Sequence, residues 1–255
     1  MNLLRKQLEN KAKIYGTLVS LTDPALCEIM GRVGFDSVWI DMEHTYMSYK
    51  DVLCHLNASA SANISSLVRL PQNDPTATKK ILEMGPDAIL FPMVKSASEA
   101  KELIESTLYP PNGTRGFGPM RAIGYGALDA KRYAECESLE LCRFIQIECK
   151  EILAELDELV KIPHLDGCIF GPNDLSGSFG SFLDVNGEAT VSAIRNAIEI
   201  LHKNGLVAGL AGGADEKSIK LWCSLGIDMI YAGADWCFIY SMGNDVLKTE
   251  KKYLK

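Results

Sequence analysis

The stretch Gly34-Phe35-Asp36-Ser37-Val38-Trp39-Ile40-Asp41 joins two kinds of periodicity. Residues 24–33 before it space their apolar side chains for a helix. Gly34 can take the left-handed conformation that closes a helix, and 37–42 has the length and apolar character of a buried strand. The same punctuation returns at Gly85-Pro86-Asp87 and Gly226-Ile227-Asp228, each followed by another such run. Working outward from these three, candidate strands fall at 15–21, 37–42, 65–70, 88–94, 141–149, 167–171, 206–210 and 228–232. Amphipathic helices are expected between them at 24–33, 76–84, 98–108, 150–160, 190–204 and 215–225. In the fourth of these, Ile152, Leu153, Leu156, Leu159 and Val160 share one face.

Eight strand-then-helix units of about 30 residues each, with no flexible linker between halves, predict one α/β domain over residues 1–255. The expected fold is a (β/α)8 TIM barrel preceded by an extra N-terminal helix. A doubly wound open sheet is the alternative. It loses ground because Gly116-Phe117-Gly118 has Arg121 where the third glycine of a dinucleotide fingerprint belongs. The irregular segment 109–126, with two arginines and three aromatics, reads as an ordered lid or a subunit contact.

Composition narrows the function. With 47% hydrophobic and 23% charged residues the chain is an ordinary globular protein, not a disordered one. Its net charge of −7, with bases scattered among acids, argues against a nucleic-acid partner. No run approaches the roughly 18 apolar residues of a membrane span, and the N-terminus lacks a signal-peptide core, so no membrane partner and a cytoplasmic location are expected. The eight cysteines include no C-x-x-C pair and read mostly as small apolar core residues.

In a barrel, polar groups at the C-terminal strand ends converge on one mouth. The second strand ends in Asp41 and runs on through Glu43 to His44; the third ends in Arg69; the fifth carries Gln146 and Glu148; the sixth leads to Asp174. Each has a bland reading, as a cap, a rim ion pair or a solvent-facing side chain. Against that, Ile145 and Ile147 suit the layer beneath the helices, which turns Gln146 and Glu148 into the barrel. Glu148 and Asp174 could then supply two oxygen ligands to one ion. Hard oxygen donors favour Mg2+ or Mn2+, with Co2+ possible. Arg69 offers a fixed positive fork beside that ion, and Asp41 could orient His44 as an acid/base pair. Such a site suits carbon–carbon cleavage next to a chelated carbonyl, as in a 2-oxo acid.

The runs Ile40-Asp41-Met42-Glu43-His44, Val68-Arg69, YPPNGTRGFGPMRA, Gln146-Ile147-Glu148 and Phe170-Gly171-Pro172-Asn173-Asp174-Leu175-Ser176 resemble the class II pyruvate aldolases of the HpcH/HpaI type. That family includes 4-hydroxy-2-oxo acid aldolases and 2-dehydro-3-deoxyglucarate aldolase. The resemblance spans Gly16 to about Asp235. It implies a (β/α)8 barrel, usually a hexamer, with a divalent metal on Glu148 and Asp174. It further implies an acid/base role for His44 with Asp41, and Arg69 on the pyruvate enolate oxygen. Gln146 would lie beside the metal, and the backbone of the loop Gly171, Pro172, Asn173 and Asp174 would hold the pyruvate carboxylate. The sequence departs from the family at Asn173, where a small residue is frequent, at Cys149, where a hydroxyl residue is frequent, and at Lys95 after the fourth strand.

The expected function is a metal-dependent aldolase that cleaves a 4-hydroxy-2-oxo acid to pyruvate and an aldehyde. An oxaloacetate-type decarboxylase on the same site, a Schiff-base aldolase using Lys95 or Lys150, and a silent oxo-acid-binding barrel are the alternatives. The apolar segment ADWCFIY, with Trp236, Phe238, Ile239 and Tyr240, suggests a subunit contact and hence a homo-oligomer.

Overall fold

Parallel strands buried on both faces need near-continuous apolar runs, and the eight expected runs all form strands. They are β1 (Ile14–Val19), β2 (Ser37–Asp41), β3 (Ser65–Arg69), β4 (Ala88–Phe91), β5 (Cys142–Ile147), β6 (Gly167–Phe170), β7 (Val207–Gly212) and β8 (Met229–Ala234). In this computed structural model, which describes residues 2–254, each strand pairs in parallel with the next and β8 pairs with β1. The fold is a closed (β/α)8 barrel.

Alternation along the strands makes two apolar layers. Trp39, Leu67, Leu90, Phe144, Ile169 and Tyr231 fill the barrel, while Val38, Ile40, Val68, Ile89, Ile145 and Ile147 pack outward against the helices. Gln146 has the parity of Phe144 and therefore points inward. The helix Leu3–Glu9 closes the opposite end: Leu4 is fully buried in the inner layer, Asn2 caps the helix, and Arg5 pairs with Asp166.

The Gly-x-Asp repeat has a structural purpose for both residues. Gly34, Gly85 and Gly226 have φ of 104°, 69° and 87°. Each aspartate then clamps the start of the preceding strand by accepting a main-chain N–H: Asp36 from Tyr15 (3.0 Å), Asp87 from Ser66 (2.9 Å) and Asp228 from Ala208 (3.0 Å). A fourth clamp, Asp166 on the Arg143 N–H at 2.8 Å, lacks the glycine; His164 takes the left-handed position instead, at φ 63°.

Two expectations change. The helix expected at 150–160 is two short ones, Lys150–Ala154 and Leu156–Leu159. Glu155 leaves the helical conformation between them, and its carboxylate accepts the Ala97 N–H (2.7 Å) at the start of the helix Ala97–Glu105. The 109–126 segment does not cover this chain's own mouth. Arg121 pins it to the opposite end by donating to the Met84 and Gly85 carbonyls, and Arg115 is buried over the Tyr109 ring. The final helix, Asp235–Tyr253, buries only Asp235 and exposes Trp236, Ile239, Tyr240, Val246 and Leu247. Among the described residues no helix is long and apolar enough to cross a membrane.

Candidate active site

The end of β2 lies beside the end of β3, with Asp41 and Arg69 as register partners. The guanidinium fork therefore meets a carboxylate of matching shape: Nε donates to Oδ1 at 2.9 Å and Nη2 to Oδ2 at 2.6 Å. Glu43, two residues on, adds a third contact, with its Oε2 2.8 Å from Nη1. The indole of Trp39 lies under the guanidinium, 5.1 Å from it. Arg69 is thus fixed on three sides, and about two of its five N–H bonds remain for a ligand. The role of Trp39 was missed from sequence, although its position two before Asp41 puts it on the same face of β2.

Glu148 follows β5 and is 4% exposed, and its Oε1 accepts the Met93 N–H. Burial pushes its carboxyl up to about 7; Glu43 and Asp174 nearby push the same way, against the Met93 N–H and Arg69. Glu43 is also raised, first by burial and then by Asp41 and Asp174, while Arg69 and His44 oppose the shift. Asp174 sits in the first turn of the helix Pro172–Ser178. It lines a cavity of about 730 Å3 at the barrel mouth together with Asp41, His44, Arg69, Gln146, Gly171, Pro172 and Asn173. Glu148 and Asp174 also line a side chamber of about 280 Å3 with Met93, Lys95, Cys149 and Phe182.

These donors fit a divalent cation. Glu148 is buried and Glu43 half-buried beside it, so their charges repel each other until a cation arrives, while Asp174 reaches the same corner from its exposed edge; all are hard oxygen donors. The Gln146 Oε1 is buried beside them without a hydrogen-bond partner. Gly171 keeps this corner open, since a Cβ there would lie 2.9 Å from the Gln146 Nε2 and 3.4 Å from Glu148. Among the described residues no three His, Cys, Asp or Glu side chains converge as a complete metal cage. Glu148 and Asp174 would leave several positions to Gln146, water and substrate, which is the open coordination of a catalytic ion.

The expected side-chain pair of Asp41 with His44 does not form. Both Asp41 oxygens serve Arg69, and Asp41 reaches His44 only through a long main-chain contact of 3.4 Å. The imidazole instead faces Glu43, Nε2 to Oε2 3.7 Å, at the rim of the mouth with 66% of its side chain exposed. The lysines of the Schiff-base alternative, Lys95 and Lys150, are both exposed, whereas an amine nucleophile needs a desolvated setting.

A barrel whose C-terminal mouth gathers a clamped arginine, crowded carboxylates and a rim histidine is an enzyme of the kind that manages developing negative charge. The family model described as HpcH/HpaI aldolase/citrate lyase matches residues 15–219. The chain belongs to this family and is an enzyme of the aldolase type. It is 34% identical to the pyruvate aldolase of Rhizobium etli over 91% of this chain and 90% of that protein. To the 4-hydroxy-2-oxo-heptane-1,7-dioate aldolase of Shigella sonnei it is 31% identical, over 86% of this chain and 84% of that protein. It shares its fold with a solved HpcH/HpaI aldolase/citrate lyase family protein from Burkholderia cenocepacia, at a TM-score of 0.91 and 24% identity, covering 98% of this chain and 100% of that one.

Proposed function

We propose that this protein cleaves a 4-hydroxy-2-oxo acid to pyruvate and an aldehyde, with a divalent cation, Mg2+, Mn2+ or Co2+, held by Glu148 and Asp174. The observation that carries the reading is the buried Glu148, raised to about 7 and sharing a chamber with Asp174 beside the clamped Arg69. The names of the Rhizobium and Shigella relatives support the substrate class. A bound cation supplies electrophilic stabilisation of the 2-oxo group.

The rest falls to the chain's own side chains. The free N–H bonds of Arg69 face the oxygen that gains charge as the enolate forms. Gln146 holds the ketone side of the substrate, and the first-turn N–H groups of Asn173 and Asp174, in the loop shaped by Gly171 and Pro172, receive the carboxylate; the Gly171 N–H is spent on the Ile147 carbonyl. His44, polarised by Glu43, takes the proton of the 4-hydroxyl. The C3–C4 bond then breaks, its electron pair passes to C2–C3 and onto the 2-oxygen, and the aldehyde leaves. A proton delivered to C3 completes pyruvate. Asp41 acts by fixing Arg69.

The chain acts as one barrel domain over residues 1–255. The exposed apolar stripe of Asp235–Tyr253 supports a homo-oligomer, as a hexamer, and the eight free thiols suit the reducing cytoplasm. The test is pyruvate release from a panel of 4-hydroxy-2-oxo acids, and from oxaloacetate, before and after exhaustive chelation. Release restored by Mn2+, Co2+ or Mg2+ is expected. Full activity without metal would remove the cation from the reading, and no pyruvate from any 4-hydroxy-2-oxo acid would remove the aldolase.

A further inference from the structure

The 730 Å3 mouth is far from uniform. Its charged lining residues, Asp41, His44, Arg69 and Asp174, all sit at the ends of β2, β3 and β6. Across the mouth, the wall built from the ends of β7, β8 and β1 has no charged side chain among the described residues lining it. Much of it is apolar, with Leu18, Leu21, Ala211 and Ala214, and its polar groups are the hydroxyls of Ser20 and Ser218, the indoles of Trp222 and Trp236 and the bare main chain of Gly212 and Gly213.

The polar groups of this wall have defined capacities. The Ser218 hydroxyl donates to Asp215 Oδ2 at 2.6 Å, so toward the cavity it can only accept. Trp222 is 1% exposed and lies against Gly212, where a Cβ would come within 3.3 Å of its Nε1. A Cβ on Gly213 would sit 3.0 Å from Asp215 and 3.5 Å from the Ser218 hydroxyl. A side chain at either glycine would crowd these groups. The charges just behind the wall are negative: Asp215, and Asp235, whose carboxylate accepts the Ser20, Leu21 and Trp236 N–H groups. An anionic group on this side would meet carboxylates and no cation among the described residues of this wall, while a neutral group would carry no such penalty.

We infer that this wall is the acceptor subsite and that it selects neutral aldehydes over those bearing a carboxylate or phosphate, with Ser218 a specificity-determining residue. The inference rests on the pyruvate aldolase reading above. In the synthetic direction C3 of pyruvate loses a proton, the resulting electron pair bonds to the aldehyde carbon, and the aldehyde oxygen gains a proton to become the 4-hydroxyl. No oxidant or reductant is needed, so the choice of aldehyde is a matter of fit and charge alone.

The test uses the purified, Mn2+-supplied protein with pyruvate as donor. Deuterium exchange at pyruvate C3 is read by NMR in D2O as a measure of the enolate half alone. Aldol addition is then compared within two pairs: glyceraldehyde against glyceraldehyde 3-phosphate, and butanal against succinic semialdehyde. The neutral member should lead in kcat/KM on the order of 10-fold or more in each pair, since like charges brought together inside a site are costly. Ser218→Arg and, independently, Ala214→Arg should each shift the ratio toward the anionic member on the order of 10-fold, after division by that variant's own exchange rate. Two positions guard against one that fails to fold. Exchange together with equal or better use of the anionic aldehydes by the wild type would overturn the inference and leave the aldolase standing. Absence of exchange would overturn the aldolase reading and this inference with it.

Discussion

Replacing Glu148 by Gln should stabilise the metal-free protein at neutral pH. The buried carboxyl is raised from the ordinary glutamate value of 4.5 to about 7, so the folded state holds the proton more tightly than the unfolded one. Below the ordinary range both states are protonated and Glu148 costs nothing. As pH rises toward 7 the unfolded chain releases its proton first and stability drains away; above about 7 both states are ionised and the loss is complete. At about 1.4 kcal/mol per pH unit of that window, the full loss is about 3 kcal/mol. The Gln side chain keeps an oxygen for the Met93 N–H, so the variant isolates the charge. Thermal melts of both proteins after chelation, from pH 4.5 to 8.5, should coincide at the acid end and diverge toward pH 7, the variant melting several degrees higher. Mn2+ should raise the wild-type melting temperature above pH 7 and leave that of Glu148→Gln nearly unmoved. Parallel pH profiles in the two metal-free proteins would refute the reasoning.

Arg69→Ala should lower turnover on the order of 10²- to 10³-fold while calorimetry still detects cation binding, because the cation ligands proposed above are Glu148 and Asp174 and not the arginine. His44→Ala should lose on the order of 10²- to 10⁴-fold in turnover with pyruvate and metal affinity retained; turnover near wild type would move the base to Glu43. Light scattering at micromolar concentration should give a multiple of the 28.0 kDa chain, six-fold for a hexamer, and Ile239→Glu on the exposed stripe should reduce it.

The barrel was legible in the sequence because its determinants are local. Each strand is a short apolar run, and the left-handed residue before it is a glycine in three of the four aspartate clamps. The fourth was invisible, since a histidine such as His164 takes the left-handed conformation far less often than a glycine and so does not mark the turn. The break at Glu155 was hidden for another reason: the apolar period of 150–160 continues across it, and only a contact with Ala97, distant in the chain, interrupts the helix. The site residues could be listed from strand ends, but not how they pair. Nothing in the order Asp41, Glu43, His44 says that Arg69 will take the first two and leave the histidine at the rim. That partition depends on the β2–β3 register, a long-range property.

The two ends of the barrel use the same kind of side chain to opposite effect. At the closed end each aspartate receives a main-chain N–H from the neighbouring strand. Asp228 is held below the ordinary carboxylate range despite its burial, by Lys13, the Ala208 N–H and His202. At the mouth the strands have ended, and fewer main-chain donors remain. Glu148 receives one N–H and has two acids for neighbours, so burial wins and its carboxyl rises. One clamped arginine faces Asp41 and Glu43 and does not neutralise the corner where Glu148 and Asp174 meet. A fold selected for stability alone would satisfy these carboxylates as it satisfies those at the other end. Their unmet charge is what the cation of the proposed reaction would answer, and the strands' parallel order is what collects it there from residues as far apart in the chain as Asp41 and Asp174.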